Sequence, residues 1–329
     1  MSLYRHILSQ AWQVTWQNKY LWFFGLFAVL IGSSGEYEVF IRGTGGDLSQ
    51  NFFPNFRSII ETGVFSGQTF SNIGSLFKTD PLSMFILIII SLIIFVLFMF
   101  LVWLAIVSQI ALVNNSASAI NGKKRNFRDG IMAGMKNFWP ILGLNALIKI
   151  IIFFAFVLIS LPIILSIASN SWQLANLLYI ILFIIFIPAA ISFAFMVKYA
   201  IAYVVIKNSS FFDSIIEGWL LFKNNWLVSI EMAFILFFIN FLVGLAIVLA
   251  LLILAIPFLF LALLFYNLTS LAGFWIVIAL GIICLLFIII AGGAALATFQ
   301  ISSWTGLFLK LVSKGGTSKI LRIVKNFNS

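Results

Sequence analysis

The sequence predicts an all-α, polytopic integral membrane protein with six transmembrane helices, arranged as three repeats of an amphipathic helix followed by a hairpin. Three observations carry that prediction. Residues 81–122, 150–197 and 232–309 contain no Asp, Glu, Lys or Arg, and each run far exceeds the roughly 20 apolar helical residues that cross a hydrocarbon core of about 30 Å. Of the 329 residues, 63% are hydrophobic and 9% charged, where a soluble domain carries about 25% charged residues, so a water-soluble fold is excluded. The basic residues gather at alternate ends of the apolar runs, as orientation by positive charge requires.

The first span is expected over residues 19–32. An amphipathic stretch precedes it, with Tyr4, Ile7, Leu8, Ala11 and Trp12 recurring at helical spacing. Arg5 and Lys19 ahead of an apolar run ending at Gly32-Ser33-Ser34 resemble a signal peptide, but the long amphipathic leader favours a retained span. This span is short, so it borrows length from the preceding helix or thins the bilayer locally. Residues 33–80 form the one sizeable loop on the opposite face. They are rich in Gly, Ser and Asn, with apolar pieces such as Phe52-Phe53 and Ile59-Ile60, a composition that predicts an irregular cap with one or two short helices.

Five further spans are expected at residues 82–112, 139–167, 172–196, 226–256 and 271–298. The apolar run beginning at Trp226 would make a helix of about 60 Å, twice what the core needs, so a break is expected at Pro257. A rival division near Gly244 gives seven spans, and charge decides between the two. With six, fifteen of the 19 Lys and Arg residues share one face with Asp129, Asp213 and Glu217, while the opposite loop carries Arg42, Arg57 and Lys78. Seven would export Lys310, Lys314, Lys319, Arg322 and Lys325. Six spans with both termini cytoplasmic follow, in a bacterial inner (cell) membrane. The chain reads as a single membrane domain, 1–329, made of hairpin units 1–113, 114–206 and 207–300 and a basic amphipathic tail, 301–329.

The repeat is visible in the cytoplasmic segments. Phe127, Ile131 and Met135 precede the second hairpin at helical spacing, and Phe212, Ile215, Ile216 and Trp219 precede the third. The corners read Gln17-Asn18-Lys19-Tyr20, Lys136-Asn137-Phe138-Trp139 and Lys223-Asn224-Asn225-Trp226. Trp12, Trp139, Trp219, Trp226 and Trp304 are expected as interfacial anchors at headgroup depth. The plainer alternative is that any helix leaving a membrane has such a composition. A last amphipathic stretch, Trp304, Leu307, Phe308, Leu311 and Val312, presents Lys310 and Lys314 to anionic lipid.

Charges inside spans are costly, which singles out Lys149 and Glu231. They are expected to pair within the bundle with Asn145 and Asn240 as further polar contacts; the alternatives are that Lys149 snorkels and Glu231 sits at the headgroup boundary. The one histidine, His6, lies on the first amphipathic stretch, so neither a Ser-His-Asp arrangement nor a histidine metal site has buried parts to use. Cys284 lies alone in an apolar run and has no disulfide partner in the chain. Gly292 and Gly293 lack the polar residues of a phosphate loop and suit close helix packing. No enzyme activity, metal or cofactor is expected. The net charge of +10 is scattered at span ends rather than striped, so the expected partner is the lipid bilayer, with anionic lipids at the cytoplasmic face, and not nucleic acid.

The amphipathic lead-in, polar corner and paired spans of residues 127–139 and 211–226 resemble the membrane domain found with bacterial glycerophosphodiester phosphodiesterases and related six-span proteins. The likeness extends over residues 115–300. In that family the phosphodiester chemistry belongs to a separate soluble barrel, so the resemblance implies a membrane module without catalytic activity and transfers no site residue. The expected function is a membrane-organising or partner-binding module. The runner-up is a small-solute or lipid transporter with a pocket around Lys149 and Glu231, for which Pro162, Pro188 and Pro257 permit the necessary helix breaks.

Overall fold

The computed structural model describes residues 3–29, 81–123, 125–169, 172–268 and 271–314. The end of the first expected span, the outer loop 33–80 and the tail beyond residue 314 lie outside the described residues. Among those described there is no strand. In chain order the α-helices are α1 (Leu3–Gln17), α2 (Leu21–Ala28), α3 (Pro81–Ile120), α4 (Phe127–Lys136), α5 (Phe138–Ser169), α6 (Trp172–Ala202), α7 (Phe211–Asn224), α8 (Trp226–Asn267) and α9 (Leu271–Lys314). One π-helical turn, Tyr203–Lys207, ends α6. Among the described residues five helices are long and apolar enough to cross a membrane: α3, α5, α6, α8 and α9.

The chain divides into two compact units, Met1–Ser33 with Ala105–Ser329, and Ser34–Leu104. The described part of the smaller unit, residues 81–104, is the first part of α3, and residues 85–100 are exposed throughout. In the larger unit α5 pairs with α6 and α8 with α9, while α7 lies on α6 and both α1 and α2 lie on α9.

Two expected boundaries are corrected. α8 runs unbroken from Trp226 to Asn267 with Pro257 inside it. A proline removes one backbone hydrogen bond, a loss that apolar spans tolerate. Gly244, the rival division point, also lies within that helix. The last amphipathic stretch is not a separate tail element, because α9 continues through it to Lys314. At 1.5 Å per residue α8 and α9 each exceed about 60 Å, roughly twice a hydrocarbon core.

Each of these long helices changes character along its length. In α9 the large side chains Trp275, Ile276, Ile283 and Phe287 are exposed, whereas Ala294, Ala297, Thr298, Ser302, Ser303, Leu307 and Phe308 are buried. In α8 Val228, Ser229, Met232 and Leu236 are buried in the first three turns, and the large side chains Phe241, Leu245, Leu252 and Phe260 beyond them are exposed. α6 mirrors this order, with Ile180 and Ile184 exposed and the segment around Phe195, Tyr199 and Ala200 buried. The buried ends meet in one core of Tyr4, Ile7, Ala11, Phe195, Tyr199, Phe222, Met232, Leu307 and Phe308, with Trp304 packed against it.

The lead-in helices dock through small residues, and in α4 and α7 these replace the apolar stripes that identified them. α1 buries Ala11 and Thr15 along with Tyr4, Ile7 and Val14. α4 buries Gly130 and Gly134, and α7 buries Ser214, Gly218 and Phe222. Each helix thus has a small pair four residues apart facing the protein, a spacing that lets two backbones approach closely. A Cβ at Gly218 would stand 2.8 Å from the Met196 carbonyl oxygen and 2.9 Å from the Ala200 nitrogen. At Gly134 it would stand 2.6 Å from Val107 Cγ1. Meanwhile Phe127, Met132 and Met135 on α4 and Phe212, Ile216 and Trp219 on α7 are exposed. Ends are fixed by local caps. The Asn126 N–H donates to Asp129 Oδ2 at 2.9 Å, and the Asp213 N–H donates to Ser210 Oγ at 3.3 Å, each satisfying an amide that the first turn leaves unpaired.

Candidate functional site

The packed ends of the helices hold most of the buried polar residues described, and two places there are organised enough to be sites. The first is a knot between α1, α6, α8 and α9. The Tyr4 hydroxyl donates to the Glu231 carboxylate, tying the first lead-in helix to the second turn of α8. Two residues earlier in α8, Ser229 shares a hydroxyl hydrogen bond of 2.6 Å with Tyr199. Lys198 Nζ lies 4.6 Å from the centre of the Trp304 ring, a distance at which ammonium and π-face attract. A cavity of about 50 Å³ is bounded by Gln109, Lys198, Tyr199, Trp304 and Thr305, room for a water or two and nothing larger. Chemically the knot is a clamp: hydroxyls held against a carboxylate and each other in a low-dielectric interior, where a polar group without its partner costs about 1–3 kcal/mol.

The second place is a recess of about 820 Å³ between the end of α3, α4 and the π-helical turn. Lys123, Arg125 and Lys136 lie on its wall with Asp129, Asn114 and Asn208. Asn208 has φ 56°, ψ 32°, a left-handed conformation that asparagine tolerates better than most residues. It accepts a hydrogen bond from Lys136 Nζ at 3.4 Å. Asn114 is buried, and its Nδ2 donates to no acceptor among the described residues.

The four polar residues expected to converge do not. Lys149 is exposed on α5, a helix whose packing partner is α6 and not α8, so Glu231 meets Tyr4 instead. Asn145 donates to Gln109 Oε1 at 2.9 Å and to the Ile141 carbonyl at 3.0 Å. Asn240 has a buried Oδ1 with no donor among the described residues. Trp12, Trp139, Trp219 and Trp226, expected as interfacial anchors, are exposed. Trp304 is half-buried instead, with its ring against Phe195, Tyr199 and Lys198, and the amphipathic stretch to which it belongs turns Leu307, Phe308 and Leu311 into the core.

Sequence reasoning missed Tyr4 as a hydrogen-bond donor, Tyr199 with Ser229, and Asn114. A signal for them was present. Small polar residues crowd one end of the charge-free runs, at Ser108, Gln109 and residues 114–118 in α3 and at residues 298–305 in α9. Hydropathy averages them away, yet such residues join helices in lipid; Ser116 and Ser302 do so at 2.8 Å.

The sequence matches no family model, and neither a curated protein nor a solved structure is similar to it at a significant level. The fold itself defines the class: a multi-pass, α-helical, membrane-embedded protein.

Proposed function

We propose that this chain is a non-catalytic module of a bacterial inner membrane that organises partner helices, with six spans, three lead-in-plus-hairpin repeats and both termini cytoplasmic. One observation carries the reading. The apolar shafts of α8 and α9 are almost entirely uncovered, with 6% of the most hydrophobic window of each buried, whereas their other ends are clamped in a dense core. A chain that fastens its hairpins at one end and leaves the shafts free presents long helical faces to whatever shares the bilayer. Helices that share a bilayer associate by van der Waals packing along their facing sides.

The repeat is supported by the parallel construction of α4 with α5 and of α7 with α8: an acid in the first turn at Asp129 and Asp213, a docked small pair, and a Lys-Asn corner at each end. The sixth span is supported by α2, which begins at Leu21 and is held to α9 by the hydrogen bond from Thr298 Oγ1 to the Leu21 carbonyl, 3.2 Å. The positive charge on the lead-in side supports a cytoplasmic assignment. The likeness to the membrane domain of glycerophosphodiester phosphodiesterases belongs to the same proposal. The transport alternative has less support, because Lys149 and Glu231 form no common pocket.

Photocrosslinking amino acids at Phe241, Ile253, Ile283 and Phe287 test the module reading in intact cells. Adducts of one defined protein mass from neighbouring positions are expected. Lipid adducts alone from all four would overturn it. Protease added to spheroplasts carrying tags at both termini tests the topology, and loss of either tag would refute the six-span arrangement.

A further inference from the structure

The recess beside α4 is an open one whose rim carries exposed cations and whose lining includes one buried, unpartnered amide, that of Asn114. Its volume of about 820 Å³ lies within the range of small-molecule pockets, and its wall combines two chemistries. Lys123, Arg125 and Lys136 supply three cations against the single carboxylate of Asp129, and that carboxylate is already engaged in capping α4 through the Asn126 N–H. Lys136 is held toward Asn208 across the recess by their 3.4 Å contact, and the π-helical turn from which Asn208 projects is a device that recurs at functional sites. Independently of the charges, Asn114 is 8% exposed and its Nδ2 is a buried donor with no acceptor in the described chain. Ammonium, guanidinium and amide N–H groups are all donors, and together they select a ligand that offers several acceptor oxygens and negative charge. Met132, Val205 and Ile206 add apolar surface to the same lining, which suits a ligand whose charged group has a carbon body attached.

We propose that this recess binds a phosphate group, with Lys123, Arg125 and Lys136 supplying charge and Asn114 the buried donor. The shared chemistry is that of a phosphate ester, and two sources offer it: an anionic phospholipid headgroup or a soluble phosphate. The site is independent of the module reading, since it requires neither partner helices nor a given number of spans.

The test uses the full chain in phosphatidylcholine nanodiscs, with phosphatidylglycerol added to the bilayer or inorganic phosphate added to the buffer at constant ionic strength. Binding is read by native mass spectrometry for the lipid and by calorimetry for the anion. Saturable binding of at least one probe is expected. The Lys123→Ala/Arg125→Ala/Lys136→Ala variant, whose changes lie on exposed residues, is expected to weaken binding roughly tenfold or more. Lys149→Ala/Lys223→Ala, which removes the same kind of exposed charge elsewhere, is expected to leave it unchanged. Asn114→Leu is expected to weaken binding too, and the triple variant alone decides the matter should Asn114→Leu fail to fold. Phosphatidylglycerol that excess inorganic phosphate does not displace assigns the lipid headgroup; binding of inorganic phosphate that displaces or replaces the lipid assigns the soluble source. No saturable binding of either probe, or an equal loss in the control variant, overturns the proposal.

Discussion

The two ends of α9 have the same helical geometry and opposite surroundings. Around Ile283 and Phe287 the large side chains are exposed; around Ser302, Leu307 and Phe308 they are not. Hydrophobicity does not make the difference, since the exposed end is the more apolar. Small and weakly polar residues do. In water a Phe-rich surface would be driven inward, but lipid tails are as apolar as leucine, so a membrane helix gains little by burying such a surface and packs where small residues allow close approach and hydrogen bonds. The packed end therefore coincides with Ala294, Ala297, Thr298, Ser302, Ser303 and Thr305, and the exposed end with the run that hydropathy detects most strongly.

Several substitutions break or sharpen this contrast, and the largest effect belongs to the docked small pairs. Gly218→Leu forces a side chain against the backbone of residues 196 and 200 and is expected to cost about 3 kcal/mol or more, enough to abolish a cooperative melt in detergent. Gly244→Leu, at a position with open space around it, is expected to be neutral or to stabilise by up to about 1 kcal/mol through helix propensity. Equal losses at the two glycines would remove the distinction between the two regions.

Tyr4→Phe is next, with an expected loss of about 1–3 kcal/mol as the Glu231 carboxylate loses the Tyr4 hydroxyl. A double-mutant cycle of Tyr4→Phe with Glu231→Gln is expected to show a coupling above roughly 1 kcal/mol. The corresponding cycle of Lys149→Ala with Glu231→Ala is expected to be additive within about 0.5 kcal/mol, and a coupling larger than that would restore the pair that the sequence suggested. Ser302→Ala, which leaves Ser116 buried without its 2.8 Å partner, is expected to cost about 1–2 kcal/mol. The smallest effect is expected at Trp139→Phe. That ring is 76% exposed, and its loss is expected to alter stability by less than about 0.5 kcal/mol.

Fold class was legible in the sequence because it follows from composition and length. The charge-free runs around Ile93, Phe153, Leu245 and Ile283 have no role but as apolar helices. The lead-in helices were legible as periodicity, yet the face that docks was not, because α4 and α7 turn glycine and serine inward and leave Phe127, Met135, Phe212 and Trp219 outside. Amphipathic reasoning taken from soluble proteins assigns the large apolar stripe to the protein side, and in a chain adapted to lipid that assignment inverts. The break at Pro257 was misplaced for a related reason: apolar surroundings favour keeping every remaining backbone hydrogen bond, so the helix continues. The Tyr4–Glu231 contact was illegible because it joins residues 227 positions apart, and the recess beside Asn114 because its wall is assembled from α3, α4 and the turn after α6.

The central claim is that lipid covers the shafts while protein covers the opposite ends of the same helices. Photoactivated carbene labelling from the hydrocarbon phase, mapped by peptide mass spectrometry on the reconstituted chain, measures this most directly. Label is expected on residues 237–261 and 274–290 and is expected to be missing from residues 105–118, 194–205 and 297–311. Equal labelling of the two sets, or protection of the shafts with labelling of residues 297–311, would contradict the account.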